Sequence, residues 1–296
     1  MPTVTIDGIR VEVETGATVL DAARKAGIWI PALCYHPAVS PPATCRLCMV
    51  ELDRGDWKQL VTSCNYPVRR DIEVSVSSDR AVAARRGVMQ LLLARAPENE
   101  QLKAMAERMG VEGTPYPTVT TSQRDCILCG LCTAICDEVL GRAAIAFSGR
   151  GPERAVTTPF RQPAEDCIGC GACALICPVG TIQIRMHEEE GEIEISPFKT
   201  RTKMLACQEC GAPVGSVLVL KEALERTPAH RESLAELTPV PPVQAKAHRR
   251  AADGRADPGG AGGLRRRNQE SGVTAGAPPG RQPNEEMVDG SEKGNL

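Results

Sequence analysis

The strongest constraint on this chain is a cysteine pattern that occurs twice. Residues 126–136 read CILCGLCTAIC and residues 167–178 read CIGCGACALICP, so both runs have the spacing C-x2-C-x2-C-x3-C. Four thiolates within eleven residues crowd the tetrahedron of a zinc ion, whereas an iron–sulfur cubane is larger and accepts such a run. The repeat therefore predicts two [4Fe–4S] centres, with a zinc site as the alternative.

The spacing is that of bacterial two-cluster ferredoxins, in which the fourth cysteine of each run ligates the other cluster. The predicted ligands of one cubane are Cys126, Cys129, Cys132 and Cys177, and those of the other are Cys167, Cys170, Cys173 and Cys136. Three glycines within the runs are expected to let backbone N–H groups approach the cluster sulfides: Gly130, Gly169 and Gly171. After Cys136 comes Asp137, whose carboxylate either disfavours added electrons on a cluster or faces water at the start of a helix.

The cysteine content and the N-terminus bear on the cellular compartment. The chain of 296 residues has 14 cysteines, and its first residues, MPTVTIDGIRVEVETG, lack the basic and apolar regions of a secretory signal. We therefore expect a cytoplasmic protein whose closely spaced cysteines bind metal instead of forming disulfides.

Charge and hydropathy exclude two further classes of function. The longest apolar runs, VMQLLLA and VGSVLVL, are much shorter than the ~20 residues that cross a bilayer. The formal net charge is −2, with no basic excess. Neither direct membrane insertion nor nucleic-acid binding is therefore expected.

The predicted fold class is α+β, with five segments along the chain. Residues 1–78 form a β-grasp [2Fe–2S] ferredoxin domain, 79–119 a helical connector, and 120–190 a bacterial-type ferredoxin domain with two [4Fe–4S] clusters. Residues 191–237 form a C-terminal extension with the CxxC pair Cys207 and Cys210, and EGEIEISPF within it favours a strand. Residues 238–296 are rich in Pro and Gly without aromatic side chains, which predicts a disordered tail.

Local signals support this division. TVTI and IRVEV alternate around Asp7-Gly8, a hairpin signal, and the next helix is capped by Thr18 and stopped by Gly27. CMVEL, QLVTS and DIEVSV are further strand candidates. In the connector, Ser78 and Asp79 cap one helix, and Pro97 and Glu98 start a second that ends at Gly110. The residues expected on the buried stripe of the first helix are Val82, Met89, Leu92 and Leu93.

A third cysteine group has the spacing C-x10-C-x2-C-x15-C. The sequence around it, IPALCYHPAVSPPATCRLCMVEL, resembles the N-terminal [2Fe–2S] segment of the large peripheral subunit of respiratory complex I. It also resembles the matching segment of diaphorase iron–sulfur subunits of NAD-linked hydrogenases and of soluble formate dehydrogenase α subunits. The resemblance covers about residues 3–185 and implies one [2Fe–2S] cluster on Cys34, Cys45, Cys48 and Cys64. It leaves His36 beside the cluster or on the surface, and the role of Arg46 open.

The chain departs from those relatives in one respect. They usually carry a cubane held by one His and three Cys between the two ferredoxin units, and residues 65–125 here contain neither His nor Cys. The relay is thus one centre shorter, so either the connector repositions the domains or the [2Fe–2S] domain docks on a separate subunit. The pair in CQECGAP has no second pair after it, which favours a half-lost site or an altered tail.

These patterns predict an electron-transfer subunit of a cytoplasmic redox complex, without a catalytic site of its own. The resemblance implies two partners. One is a flavoprotein subunit that oxidises NAD(P)H, and the other is a catalytic subunit of a hydrogenase, a formate dehydrogenase or a heterodisulfide-reductase-like complex. A zinc-stabilised scaffold without redox activity and a stand-alone ferredoxin-type carrier are the alternatives.

Overall fold

The computed structural model describes residues 1–119, 123, 125–206 and 212–226, all within one compact unit. The predicted tail at 238–296 and the Cys207–Cys210 pair lie outside the described residues.

The N-terminal segment forms a five-stranded mixed sheet. Its strands are β1 (Thr3–Ile6), β2 (Ile9–Glu12), β3 (Met49–Asp53), β4 (Lys58–Thr62) and β5 (Ile72–Ser75), in the order β2-β1-β5-β3-β4. Strands β1 and β5 are parallel and the other neighbours antiparallel. The predicted hairpin is confirmed: Asp7 and Gly8 have φ of 45° and 86°, the positive values that a tight two-residue turn requires.

Helix α1 (Val19–Lys25) packs on this sheet and begins as predicted. The Thr18 hydroxyl accepts a hydrogen bond from the Asp21 N–H, and the Asp21 carboxylate accepts one from the Thr18 N–H, each 3.1 Å long. This reciprocal capping satisfies two backbone donors at the helix start. Gly27, with φ of 71°, follows the helix at its predicted end.

The connector consists of α2 (Asp79–Arg95) and α3 (Glu100–Arg108). Ser78 caps α2 as predicted, but the expected buried stripe is partly wrong. Val82 is 43% exposed, because the buried face follows a four-residue spacing through Arg85, Met89 and Leu93. The Arg85 guanidinium donates to the carbonyls of Met49 (3.1 Å) and Val76 (2.6 Å), which explains how a charged residue occupies that face.

The second connector helix starts later than expected. Asn99, not Pro97, is its N-cap, and its side-chain oxygen accepts from the Leu102 N–H at 3.1 Å. The amide of Asn99 also donates to the Val179 carbonyl at 2.7 Å, so this cap fastens the connector to the second ferredoxin unit. Gly110 ends the helix with φ of 67°.

The cysteine runs carry two short helices. These are α4 (Leu131–Ala134), which continues into a π-helical turn (Ile135–Val139), and α5 (Ala172–Leu175). Between them, β6 (Ala146–Ser148) pairs with β7 (Ala155–Thr157). A four-stranded antiparallel sheet follows, in the order β11-β10-β9-β8, and it ends in helix α6 (Val217–Arg226). Its strands are β8 (Gln183–His187), β9 (Glu192–Ser196), β10 (Thr200–Ala206) and β11 (Pro213–Ser216).

Of this second sheet, the sequence predicted only β9. The boundary placed between 190 and 191 falls in the turn that joins β8 to β9. No helix among the described residues combines the length and the hydropathy needed to cross a membrane.

One apolar core connects the first three of the five predicted segments: the β-grasp domain, the helical connector and the domain with the repeated cysteine runs. It joins Leu33 and Leu47 of the β-grasp unit to Met89 of α2, Leu102 of α3 and Leu131 of α4. The connector therefore packs against both ferredoxin units and does not hold them apart.

Candidate iron–sulfur centres

The four cysteines of the N-terminal unit lie together in its interior. Cys34, Cys45 and Cys48 come from the segment between α1 and β3, and Cys64 follows β4; none is more than 4% exposed. The Cys45 N–H donates to Cys34 Sγ at 3.4 Å. Hydrogen bonds from the Cys45 and Cys64 thiols hold the pKa of Cys34 far below its usual range, and Cys64 lowers the pKa of Cys48 to about 6. The same hydrogen bonds raise the pKa of Cys45 and Cys64, so these two thiols keep their protons until a metal displaces them. Four buried cysteine sulfurs in one place are the ligand set of a sulfur-ligated iron centre.

Residues next to these cysteines shape the loop. The Tyr35 hydroxyl donates to the Asp21 carboxylate of α1 at 2.6 Å, which anchors the chain beside Cys34. His36 is exposed and its Nδ1 accepts from the Ala38 N–H at 3.2 Å, in agreement with a surface position. Arg46 is also exposed, with a left-handed backbone (φ 57°) between two of the cysteines.

The four cysteines of the first set predicted for a cubane line one small, mainly apolar cavity. Cys126, Cys129 and Cys132 line it from the first run, and Cys177 closes it from the second. Burial raises the pKa of Cys126, and the Cys177 thiolate raises it further. The pKa of Cys129 rises to about 12, through burial and then through Cys177 and Cys126. Loading iron here therefore has to displace thiol protons.

The second set is completed in the same crossed manner. Burial raises the pKa of Cys136, and the charges of Cys167 and Cys170 raise it further. For Cys173 the pKa rises to about 12, through burial and then through Cys170, Cys167 and Cys136. Cys136 of the first run is therefore close enough to Cys167 and Cys170 of the second run to feel their charge, and the two crossed ligand sets stay a prediction.

Backbone donors already point at several of these sulfur atoms. The Leu128 N–H donates to Cys126 Sγ at 3.4 Å, and the Leu131 N–H lowers the pKa of Cys129 against its burial. Ala144 and Ile145 do the same for Cys136. Such N–H···S bonds stabilise anionic sulfur, so the residues present fit an iron–sulfur cluster in each set.

The predicted glycines have positive φ, and two of them also meet the second sheet. Gly130 and Gly171 directly precede α4 and α5, with φ of 84° and 73°. A Cβ at Gly169 would overlap Thr202 Oγ1, and one at Gly171 would overlap Ile184 Cδ1. Close packing of β8 and β10 is thus a reason for glycine here that the sequence did not indicate, and the predicted approach to sulfides stays a prediction.

The N-terminal cysteine set lies beside the first cubane set in space, and the first cubane set lies beside the second. The Thr44 hydroxyl donates to the Cys129 carbonyl at 2.7 Å, and the charge of Cys34 reaches the Cys129 thiol. The pKa of Cys132 in the first cubane set is raised by burial, then by Cys129 and Cys126, and then by Cys173 of the second set. The [2Fe–2S] segment therefore contacts the first cysteine run directly.

Other contacts were missed or assigned differently from the sequence. Arg95, at the end of α2, donates to the Cys126 carbonyl at 3.2 Å and to the Arg154 carbonyl at 3.0 Å. Its position in the last helical turn is ordinary for a cation and does not reveal this contact. Asp137 is exposed, as one reading predicted, but it lies within the π-helical turn and starts no helix.

Comparison with known proteins identifies both kinds of domain. Residues 1–79 match the 2Fe–2S iron–sulfur cluster binding domain, and residues 163–183 match the 4Fe–4S binding domain. Over 179 residues, 52% of this chain, the sequence is 30% identical to the mitochondrial NADH-ubiquinone oxidoreductase 78 kDa subunit of Candida albicans. Over 181 residues, 53% of this chain, it is 30% identical to the NADPH-Fe(3+) oxidoreductase subunit alpha of Geobacter sulfurreducens.

These matches span 25% and 21% of the two relatives, so the chain covers about a quarter of their length or less. Among solved structures, a chain of an NAD+-reducing [NiFe]-hydrogenase in the H2-reduced state superimposes with a TM-score of 0.52 at 27% identity, covering 60% of this chain and 85% of that one. The chain therefore contains a 2Fe–2S and a 4Fe–4S cluster binding domain and resembles the complex I large peripheral subunit and the diaphorase-type subunit of NAD-linked hydrogenases.

Proposed function

We propose that the chain is an electron-transfer subunit with three iron–sulfur clusters in a row. The [2Fe–2S] cluster is assigned to the four N-terminal cysteines, and each [4Fe–4S] cluster to one of the two crossed sets. The clusters, when bound, supply reversible one-electron storage. The chain supplies thiolates, burial and hydrogen bonds that set their potentials.

The observation that carries this proposal is the contact between Thr44 and Cys129. The loop that carries the N-terminal cysteines contacts the first repeated cysteine run, which supports direct electron transfer between the clusters proposed at these two places. Of the two explanations for the shorter relay, this favours a rearrangement within the chain over docking of the [2Fe–2S] domain on a separate subunit.

The partners proposed are those of the related complexes. One is a flavoprotein subunit that oxidises NAD(P)H, and the other is a catalytic redox subunit such as a hydrogenase, a formate dehydrogenase or a heterodisulfide-reductase-like enzyme. The relatives' names support a nicotinamide-linked donor or acceptor. We expect the complex in the cytoplasm.

The test is anaerobic purification of the full chain with quantification of iron, sulfide and zinc, followed by EPR after dithionite reduction. The proposal requires about ten iron atoms per chain, for one [2Fe–2S] and two [4Fe–4S] clusters, and signals of both types. Zinc in place of iron would establish the scaffold alternative. Anaerobic co-purification tests the second alternative, a stand-alone carrier. Such a carrier would purify as a monomer and exchange electrons with unrelated enzymes.

A further inference from the structure

Two buried hydroxyl groups beside the proposed cubanes have no hydrogen-bond partner in the described part of the chain. They are Thr181 Oγ1 and Thr202 Oγ1. A buried hydroxyl whose proton is unbonded is destabilising, and native proteins give nearly all such groups an acceptor. Thr181 and Thr202 differ from the other unpartnered hydroxyls in lying beside the repeated cysteine runs, where a bound cluster would supply an acceptor.

The Thr181 side chain lines the same cavity as the first cysteine set. Most other residues around it are apolar, including Ile127, Val179 and Phe198. The one amide in the wall, Gln123, already exchanges two hydrogen bonds with the backbone of Val156, at 2.7 and 3.0 Å. Sulfur atoms are thus the acceptors that this cavity offers to the hydroxyl of Thr181.

The Thr202 side chain occupies a corresponding place at the second set. It lies on β10, is 7% exposed, and packs on Gly169, between Cys167 and Cys170. Its oxygen is close enough to exclude a Cβ at Gly169. Because Gly169 lies between Cys167 and Cys170, a cluster bound by this run would bring sulfur acceptors to the side of Thr202.

We propose that Thr181 and Thr202 each donate a hydrogen bond to sulfur at one cubane site and thereby raise the reduction potential of that cubane. The inference rests on the proposed function, because it requires the cubanes. Reduction adds one electron and makes the sulfur more negative, so a donor stabilises the reduced form more than the oxidised one. The hydroxyl keeps its proton, and electron uptake is not coupled to proton transfer.

The test is an EPR-monitored potentiometric titration of the anaerobic full-length protein, with dithionite as the reductant. Thr181→Val and Thr202→Val keep the side-chain shape and remove the donor. Each should lower the midpoint of one cubane, the double variant should lower both, and Thr→Ser at either position should keep the wild-type midpoint.

Thr200→Val is the matched control. Thr200 lies on the same face of β10 and is buried, and its hydroxyl likewise lacks a partner among the described residues. It is not among the residues that line the first cavity. The inference requires unchanged midpoints in this variant.

A second readout detects the hydrogen bond itself. After exchange into D2O, pulsed EPR should show an exchangeable deuteron coupled to each reduced cubane, and the corresponding valine variant should lose that coupling. Where a valine variant binds less iron, serine and alanine are compared at the same position, and only serine should retain the midpoint.

Unchanged midpoints and deuteron couplings in both valine variants, at wild-type iron content, would overturn the inference. So would an equal shift in Thr200→Val. A wild-type protein without cubanes refutes the proposed function instead, so the two failures are distinguishable.

Discussion

The Thr44 hydroxyl and the Cys129 carbonyl are joined by a 2.7 Å hydrogen bond that links the loop of the N-terminal cysteine set to the first cysteine run. The residues are 85 positions apart in the sequence. Behind this contact, Leu33 and Leu47 pack in one core with the connector helices, which fixes the two ferredoxin units to each other.

Replacing Thr44 by Asp should weaken this junction, because a carboxylate cannot donate to a carbonyl and repels it. We expect full iron content but weaker magnetic interaction between the [2Fe–2S] cluster and the first cubane. Power saturation of the [2Fe–2S] EPR signal, with the cubanes oxidised and then reduced, measures that interaction. Thr44→Ser retains the donor and should behave as wild type; equal saturation in the Asp and Ser variants would contradict the role of this contact.

Removing the Tyr35 hydroxyl should loosen the start of the [2Fe–2S] loop. Burial alone would raise the pKa of Asp21, but hydrogen bonds from Tyr35 and Thr18 outweigh it and hold the pKa below its ordinary value. This contribution to stability is complete above the unfolded value of 3.8 and is lost as the pH falls through the lowered folded value.

For Tyr35→Phe we expect a loss of about 1 kcal/mol at neutral pH, since the bond is only partly buried. Urea unfolding followed by visible circular dichroism of the [2Fe–2S] cluster measures it. Tyr66→Phe is the control, because Tyr66 packs on the same core but is not bonded to Asp21. Equal losses in the two variants would show that the Tyr35–Asp21 bond has no special effect.

The buried guanidinium of Arg85 should be among the most sensitive positions outside the cysteines. Arg85→Met leaves the carbonyls of Met49 and Val76 without this donor, at a cost of about 2–4 kcal/mol. Arg86→Met, one residue further on the exposed side of α2, should change the free energy of unfolding by about 0.5 kcal/mol or less. Similar values for the two variants in denaturant titrations would contradict the structural role of Arg85.

Three glycines with similar φ separate backbone strain from steric overlap. Gly141 (φ 65°) has open space at its Cβ position, so alanine there costs only the strain of about 1 kcal/mol. At Gly171 the Cβ meets the terminal Cδ1 of Ile184, which can move away by rotation about χ2 although χ1 is stiff. At Gly169 it meets Thr202, whose branched side chain is stiff.

Iron content should therefore fall in the order Gly141→Ala, Gly171→Ala, Gly169→Ala, with the last losing the second cubane. Iron analysis together with EPR of the reduced proteins checks the order. Equal iron content in all three variants would mean that close packing of the second sheet on the second cysteine run does not require glycine there.

Local chemistry made the N-terminal unit predictable. The Asp7-Gly8 turn, the Thr18 cap and the alternating strands each depend on residues close in sequence, and all appear in the structure. The crossed ligand sets are predicted from the spacing as well and stay a prediction: Cys177 influences Cys126, and Cys167 and Cys170 influence Cys136, as such sets would require.

Long-range contacts were the part that the sequence did not indicate. Arg85 reads as a solvent-facing charge until its acceptors, 36 and 9 residues away, are brought to it by the sheet. All but one residue of β8 is exposed, so the strand has no alternating pattern to mark it. No sequence motif marks Thr44, Thr181 or Thr202. Their surroundings form only when the β-grasp loop, the cysteine runs and the second sheet pack together.

The crossed ligand sets are the central claim, and pairwise comparison of cysteine variants tests them most directly. Iron content and EPR spectra of the reduced protein are recorded for Cys126→Ala, Cys177→Ala, Cys167→Ala and Cys136→Ala. The account predicts that the Cys177 variant matches the Cys126 variant, and that the Cys136 variant matches the Cys167 variant. A Cys136 variant that instead reproduces the spectrum of the Cys126 variant would show that each run binds its own cluster, and would contradict the account.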